Sequence, residues 1–392
     1  MFGYGFVAVV LVLYLDALGF DGPMIGLLLS LTLVGDTVIS LWLTTHADRL
    51  GRRRVLVAGG LLVVLGGATF LATDAFALLL LGATIGVISP SGNEVGPFLA
   101  VEQASLSQTA PDDRRTALFA WYNLVGSVAA AVGALGAGVL ASALQSRGVS
   151  ALDSYRVIVA AYVALGLVLA IAFLRLSAAI EVPRGTAQTG RFGLGRSRNA
   201  VLVLSSLFTL DAFAGGLVPL SIIAFWFHER FGVEPAVLGG IVFGANILAA
   251  ISALSAARLA ARFGLINTMV FTHLPSNVLL MVVPFMPTLP LAVIVLFARF
   301  AISQMDVPTR QSYTMAVVEP GERSAAAGVT GIARTTGASV SPLIAGPLIA
   351  VPGLSGLTFV LSGGLKIVYD LSLYALFKAR PIPSERGEPA AG

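Results

Sequence analysis

The chain has 392 residues, of which 57% are hydrophobic and only 11% are charged, whereas soluble domains carry about 25% charged residues. This composition, with a mean hydropathy of +0.91, excludes an ordinary soluble protein. The chain has no cysteine, which excludes a disulfide framework and a cysteine-based metal site. Its basic residues are spread over turns and form no patch that would fit a nucleic acid.

Apolar segments that are long enough to cross a bilayer follow one another along the chain. A spanning helix needs about 20 mostly apolar residues. We predict twelve spans, at residues 2–20, 23–46, 54–73, 76–107, 115–143, 154–177, 199–228, 234–260, 264–286, 289–317, 323–352 and 354–379. The predicted fold class is therefore an all-α membrane protein.

Arginine and lysine are distributed unevenly between the turns that join these spans. They concentrate in the turn at 49–54, in the segment 184–198 and in the tail after Lys378, and they are sparse in the intervening turns. Because basic turns stay on the cytoplasmic side, we expect both termini in the cytoplasm. The excess of arginine over lysine and the abundant alanine and glycine are typical of a GC-rich bacterial genome, which predicts the bacterial inner membrane.

The second half of the chain repeats the pattern of the first. Arg49-Leu50-Gly51 aligns with Arg262-Phe263-Gly264, and Asp16-Ala17-Leu18-Gly19 aligns with Glu229-Arg230-Phe231-Gly232. Such a repeat is typical of transporters built from two related helical bundles.

The repeat predicts four parts of the chain. They are an N-terminal six-helix bundle at 1–178, a flexible cytoplasmic linker at 179–198, a pseudo-symmetric C-terminal six-helix bundle at 199–380 and a disordered tail at 381–392. Span seven starts near Asn199, and its counterpart in the first half would begin before Met1. We therefore expect the first span to be truncated at its N-terminal end.

The turn between spans two and three carries a motif, Thr44-Thr45-His46-Ala47-Asp48-Arg49-Leu50-Gly51-Arg52-Arg53-Arg54. It resembles the signature loop of the major facilitator superfamily, in which a glycine is followed by Asp-Arg, one variable residue and Gly-Arg-Arg/Lys. Thr44 stands in place of that first glycine. The resemblance implies twelve helices in two bundles and a conformational latch, in which the loop aspartate docks on the start of helix eleven. The latch residues would be Asp48, Arg49, Gly51, Arg52 and Arg53.

The drug-antiporter branch of that family has a glycine-proline motif in span five. Span five of this chain holds Gly126, Gly133, Gly136 and Gly138 but no proline, and a related pattern with Pro342 and Pro347 lies in span eleven. The resemblance to drug-efflux proteins is therefore limited, and most of these glycines are expected to serve close helix contacts.

Ionisable residues inside a span are costly and mark transport pathways or buried pairs. In span ten, Arg299, Ser303, Asp306 and Arg310 recur at helical spacing and form one polar stripe, on a helix that Pro308 can bend. In the matching span four, Glu94 and Asn93 lie in a segment rich in proline and glycine. We predict that these side chains line the substrate or proton pathway; purely structural pairing of Arg299 with Asp306, and of Glu94 with Arg310 or Arg334, stays open.

Further candidates for the pathway are Asp211 in span seven, Arg334 in span eleven, and Tyr122 and Asn123 in span five. Arg334 is expected to bind an anion or to neutralise Asp211. Lys366 and Asp370 are four residues apart, which predicts a local ion pair. Glu102 is expected to be solvated, and His273 is assigned a structural or interfacial role.

These features predict a secondary active transporter that moves a small organic solute by alternating access, most simply by proton-coupled export. The sequence has no phosphate-binding Gly-x-x-x-x-Gly-Lys-Ser/Thr loop, so a proton gradient rather than a bound cofactor is expected to drive it. One alternative is uptake or exchange of an organic or phosphorylated anion, held by Arg299, Arg310 and Arg334. Another is a non-transporting membrane receptor or scaffold. We expect a monomer in the lipid bilayer, no metal site and no enzymatic activity.

Overall fold

The computed structural model describes residues 1–92, 98, 101–102, 105–106, 112–177, 180–181, 197–318, 322–351 and 353–378, without the side chains of 45, 48, 49, 112–120, 123, 315 and 323–325. All regular secondary structure in these ranges is helical, which confirms the predicted fold class. The helices are α1 (Phe2–Ala8), α2 (Leu11–Ala17), α3 (Gly22–Leu50), α4 (Arg52–Ala72), α5 (Phe76–Ile85), α6 (Asp112–Gln145), α7 (Ala151–Leu174), α8 (Arg198–Gly216), α9 (Leu220–Phe231), α10 (Pro235–Phe263), α11 (Leu265–Val282), α12 (Leu289–Ser303), α13 (Asp306–Val317), α14 (Arg323–Val340), α15 (Pro342–Ala350) and α16 (Leu357–Phe377).

The described chain is built to lie in a membrane. Nine of its helical segments are long and apolar enough to cross a bilayer, and two shorter apolar segments, Phe2–Ala17 and Phe76–Ile85, coincide with predicted spans one and four. Many large apolar side chains on these helices are exposed, among them Leu65, Val168 and Ile294, because lipid rather than water surrounds them. The total of twelve spans stays a prediction.

The predicted repeat is visible in the backbone of the turns. Gly51 and Gly264, which align in the sequence, separate consecutive helices with φ angles of 98° and 82°. Gly19 and Gly232, the second aligned pair, have φ angles of 84° and 62°. Because glycine adopts positive φ without a Cβ clash, the same turn chemistry ends the corresponding helices in both halves of the sequence.

Several predicted spans are interrupted. Predicted span one is divided into α1 and α2, span seven into α8 and α9, span ten into α12 and α13, and span eleven into α14 and α15. In span ten the helix is interrupted one turn before Pro308, since α12 ends at Ser303 and α13 begins at Asp306, so the expected bend takes the form of a break. Pro308 lies in the first turn of α13, where its missing N–H removes no helical hydrogen bond.

The chain forms two compact units that are not contiguous in sequence. Unit 1 comprises Met1–Thr189, Pro219–Asn246 and Pro342–Val351. Inside it, α4 packs on α7, α1 on α6, and α3 on both α5 and α15. A Cβ placed on Gly22 or Gly26 would collide with the backbone of α15 at Gly346, so small residues set this close approach. Unit 1 thus includes segments of both predicted bundles, and the division at 179–198 stays a prediction.

Unit 2 comprises Gly190–Val218, Ile247–Ser341 and Pro352–Gly392. In its described part, α8 packs on α14 and α16, and α11 packs on α12, α13 and α16. A buried apolar cluster fills the space between these helices, formed by Leu204, Leu207, Phe208, Met269, Val270, Tyr313, Tyr369, Leu373 and Phe377. Two glycines allow the closest contacts: Gly337 of α14 faces the Thr209 carbonyl of α8, and Gly363 of α16 faces α11.

We predict that Gly337→Ala lowers the free energy of unfolding by about 1–3 kcal/mol, because the added methyl overlaps the Thr209 backbone and forces α8 and α14 apart. Gly331→Ala is the matched control, since it lies on the same helix with no heavy atom within 4 Å of the new Cβ. Thermal unfolding of the detergent-purified variants measures the difference. Equal midpoints for the two variants would show that α8 and α14 are not in such close contact.

Candidate functional site

Asp211 of α8 is the centre of a buried charged cluster in unit 2. Its Oδ1 accepts a hydrogen bond from Lys366 Nζ of α16 at 2.6 Å, and its Oδ2 accepts from Arg310 Nη1 of α13 at 2.9 Å and from Arg334 Nη1 of α14 at 3.3 Å. Three cations from three helices therefore converge on one carboxylate. In a low-dielectric interior such contacts are much stronger than in water.

The cluster carries more positive than negative charge. Asp306 adds a second carboxylate, which accepts from Arg310 at 3.0 Å one turn along α13. Among the described residues, Lys366, Arg310 and Arg334 form ion pairs with two carboxylates, Asp211 and Asp306, and a third carboxylate, Asp370, acts on Lys366 electrostatically from one turn along α16. We call Lys366, Arg310, Arg334, Asp211 and Asp306 the cationic cluster.

Arg334 is the accessible member of the cationic cluster. Its side chain is 36% exposed, whereas that of Asp211 is 5% exposed, and Asp306, Arg310 and Lys366 are buried. The guanidinium of Arg310 lies 5.5 Å from the ring of Phe208, which belongs to the buried apolar cluster. An apolar side chain therefore packs against the cationic cluster, and Arg334 is the member that a solute can contact.

Arg299 and Ser303 of α12 extend the polar stripe that the sequence predicted. Arg299 is buried, and its Nε has no hydrogen-bond partner among the described residues; the same holds for Ser303 Oγ. The guanidinium lies 4.6 Å from the ring of Phe300, and the nearest carboxylate that influences it is Asp306. Since burying a polar group without a partner costs about 1–3 kcal/mol, these atoms are candidates for ligand contact.

The structure thus brings together four predicted site residues, Asp211, Asp306, Arg310 and Arg334. The expectation that Arg334 neutralises Asp211 is confirmed, since the two side chains form an ion pair. The sequence left open a structural ion pair between Arg299 and Asp306. Among the described residues Asp306 pairs with Arg310 instead, and no ion pair joins it to Arg299. Glu94 and Asn93 lie outside the described residues, as does the side chain of Asn123.

Lys366 was not among the predicted pathway residues, and its predicted ion pair with Asp370 is wrong. Both residues lie on one face of α16, but Lys366 reaches Asp211 of α8. Asp370 instead accepts from Asn277 Nδ2 and contacts His273 Nδ1 of α11, each at 2.9 Å. The spacing of the two residues identified their shared face, but the neighbouring helices on either side determined their partners.

Tyr122 lies in unit 1, apart from the cationic cluster. Its hydroxyl donates to Glu102 Oε2 at 2.6 Å, and both residues line a cavity of about 410 Å³ together with Tyr4, Phe98 and Trp121. Glu102 is half-buried and lines this cavity, so the expectation that it is solvated stays a prediction.

The signature loop is held by a residue that the sequence analysis missed. Glu181 accepts backbone N–H bonds from Arg52 at 2.8 Å and Arg53 at 3.2 Å, just after Gly51. A carboxylate at this position caps the N-terminus of α4 and complements its positive end. Glu181 belongs to the predicted flexible linker, where nothing in the local pattern marks it as a cap.

The side chains of Asp48 and Arg49 lie outside the description. Their predicted latch to helix eleven therefore stays a prediction.

We predict that Asp211→Asn lowers the free energy of unfolding by about 3–5 kcal/mol, because it leaves several buried cations with fewer counter-charges. The double variant Asp211→Asn, Lys366→Met should be less destabilised than Asp211→Asn alone, since it also removes one of those cations. Thermal unfolding in detergent gives the ranking. Asp153→Asn, in an exposed ion pair with Arg156, is the control and should leave the unfolding midpoint close to that of the unmodified protein. Strictly additive losses in the double variant would contradict this account.

Comparison with known proteins places the chain in a family. Residues 1–342 match the family model described as Major Facilitator Superfamily. An uncharacterized membrane protein of Saccharomyces cerevisiae, YJR124C, is 30% identical over 409 residues, which cover 96% of this chain and 91% of the yeast protein.

Two solved structures share the fold. The nucleoside transporter NupG is 15% identical, with 97% of this chain and 98% of that chain covered and a TM-score of 0.72. A bacterial homologue of the human lysosomal transporter Spinster, solved in an inward-facing and occupied conformation, is 16% identical, with coverages of 99% and 96% and a TM-score of 0.72. The family match and the shared fold show that this chain belongs to the Major Facilitator Superfamily and is a membrane transporter of a small solute.

Proposed function

We propose that this protein is a secondary transporter of a small organic anion, which binds at the cationic cluster of unit 2. The observation that carries the proposal is an excess of positive charge among the described side chains of unit 2. The four cations Arg299, Arg310, Arg334 and Lys366 are met by three carboxylates, Asp211, Asp306 and Asp370. A buried charge without a counter-ion is strongly unfavourable. A carboxylate or phosphate of the solute would supply the missing negative charge.

The accessible and unpaired arginines fit the same role. Arg334 is exposed enough to meet a solute while it still contacts Asp211, and Arg299 is buried with an unpaired Nε on the adjoining polar stripe. Arginine presents a planar fork of donors that matches a carboxylate or phosphate group. Arg334 is therefore proposed to capture the anion and Arg299 to fix its orientation.

The sequence favoured proton-coupled export of a small organic solute whose charge was not specified. The proposal instead selects the alternative, an anion carrier. The proton carriers considered for export were Glu94, which lies outside the described residues, and Asp211, which is held by three cations. The anion carrier rests on contacts that are described. The direction of transport, a monomeric state and a bacterial inner membrane with both termini in the cytoplasm stay proposals; the asymmetry of basic turns supports the orientation.

We predict that proteoliposomes containing the purified protein exchange at least one labelled anion from a panel of succinate, benzoate and glycerol 3-phosphate. Arg334→Gln and Arg299→Gln should each lower that exchange by about tenfold or more, which corresponds to roughly 1.4 kcal/mol of lost binding. Flux is measured as the rate of label uptake against unlabelled anion inside the vesicles.

Arg156→Gln is the matched control, because Arg156 pairs with Asp74 and Asp153 at an exposed site outside the cationic cluster. It should keep exchange close to that of the unmodified protein. Transport of uridine or another neutral solute, without transport of or competition by any anion in the panel, would overturn the proposal.

A further inference from the structure

A second buried polar set lies in unit 2, between α11 and α16. His273 is 4% exposed, and Asn277 and Asp370 are fully buried. Asp370 contacts His273 through one oxygen and accepts from Asn277 through the other, so both of its oxygens are held. Pro275 lies within α11 between His273 and Asn277. We call His273, Asn277 and Asp370 the His–Asp site.

Further polar atoms buried on the same two helices lack partners. Asn277 Oδ1 and Ser276 Oγ on α11, and Ser362 Oγ on α16, have no hydrogen-bond partner among the described residues. Ser362, Lys366 and Asp370 follow one another at four-residue spacing, so they share one face of α16. Buried polar groups in native proteins usually have a partner, and where protein supplies none ordered water commonly does.

The charged and titratable groups that are linked electrostatically to His273, directly or through other side chains, lie on four other helices. On α16 these are Asp370, Lys366 and Tyr369, whose ring lies 6.2 Å from the imidazole in an edge-on arrangement. Asp211 contributes from α8, and Arg310 and Asp306 of α13 act on Tyr369. On α12, Arg299 is influenced by Asp306. The His–Asp site is thus electrostatically connected to the cationic cluster through Lys366, one turn from Asp370.

Histidine is the side chain whose charge changes most readily near neutral pH. The charged imidazole donates from Nδ1 to Asp370, and so does the neutral tautomer that carries its proton on Nδ1. A second proton, on Nε2, therefore converts the pair from a net charge of −1 to neutrality without breaking either hydrogen bond. The site can gain or lose one proton while its geometry is kept.

We propose that the His–Asp site binds a proton that is transported together with the anion. The inference rests on the proposed function, because the anion occupies the adjoining cationic cluster. A proton at His273 makes the buried surroundings of Lys366 more positive, and a bound anion makes them more negative. Each ligand therefore favours the other, and by linkage the effect is reciprocal. The sign of this coupling makes the protein a proton–anion symporter rather than an antiporter.

The test separates exchange, which needs no net proton movement, from accumulation driven by an inward proton gradient. In proteoliposomes, Asp370→Asn and His273→Gln should keep anion exchange within about twofold of the unmodified protein. Their gradient-driven accumulation of the anion from the panel that exchanges fastest should fall by about tenfold or more, within the usual range of coupling energies. Retained accumulation in both variants overturns the inference, as does loss of accumulation in Glu94→Gln alone.

A second measurement tests the inference even if the His273 and Asp370 variants do not fold. Nitrogen-15 NMR of the histidine-labelled His46→Asn, His228→Asn protein observes His273 alone. At a fixed pH, addition of succinate, or of whichever panel anion exchanges, should move the His273 ring-nitrogen signals toward those of a doubly protonated imidazole. Unchanged signals overturn the inference.

The outcomes also separate this inference from the proposed function. If the unmodified protein exchanges no anion of the panel, the proposed function fails. If it exchanges an anion but does not accumulate it on a proton gradient, the proposed function stands and the coupling inference fails.

Discussion

The unit 2 structure depends on one electrostatic constraint, the gathering of Lys366, Arg310 and Arg334 around Asp211. In a bilayer-embedded bundle these charges cannot be stabilised by bulk water, so their positions must satisfy one another. Asp306 supplies a second carboxylate but not full neutrality. In the proposed function, an anionic solute would bind to these same cations. Stability and the proposed function thus depend on the same contacts.

Close glycine contacts and a helix interruption, rather than charge, set the positions of the helices that carry these side chains. Gly337 brings α14 against α8, and Gly363 brings α16 against α11. The interruption between α12 and α13 separates Arg299 from Asp306 and directs Asp306 to Arg310 on its own helix. Small residues and a helix break therefore decide which members of the polar stripe pair and which, such as Arg299, keep an unpaired group. An unbroken helix would have made Arg299 and Asp306 closer neighbours.

The spacing of residues along the sequence predicted which side chains share a helix face. It did not predict which side chains of other helices they contact. The choice of the stripe from Arg299 to Arg310, and of Asp211 and Arg334, follows from the cost of placing charge in an apolar segment. The pairing of Lys366 with Asp370 does not follow from their spacing, because Lys366 contacts Asp211 of α8 while Asp370 contacts His273 of α11. Glu181 caps α4 across a long separation in sequence, and the contact of Tyr122 with Glu102 likewise joins two spans.

The sequence by itself determined the membrane character, the helical fold class, the family signature and the repeat whose aligned glycines share positive φ. These properties depend on composition and on local backbone chemistry, which act within a few residues. Only the tertiary structure decided which charges meet, which arginine is exposed, and that a histidine and an aspartate from separate helices form a second buried site. Those outcomes depend on contacts between residues about 100 or more positions apart, and close helix packing, not local propensity, selects them.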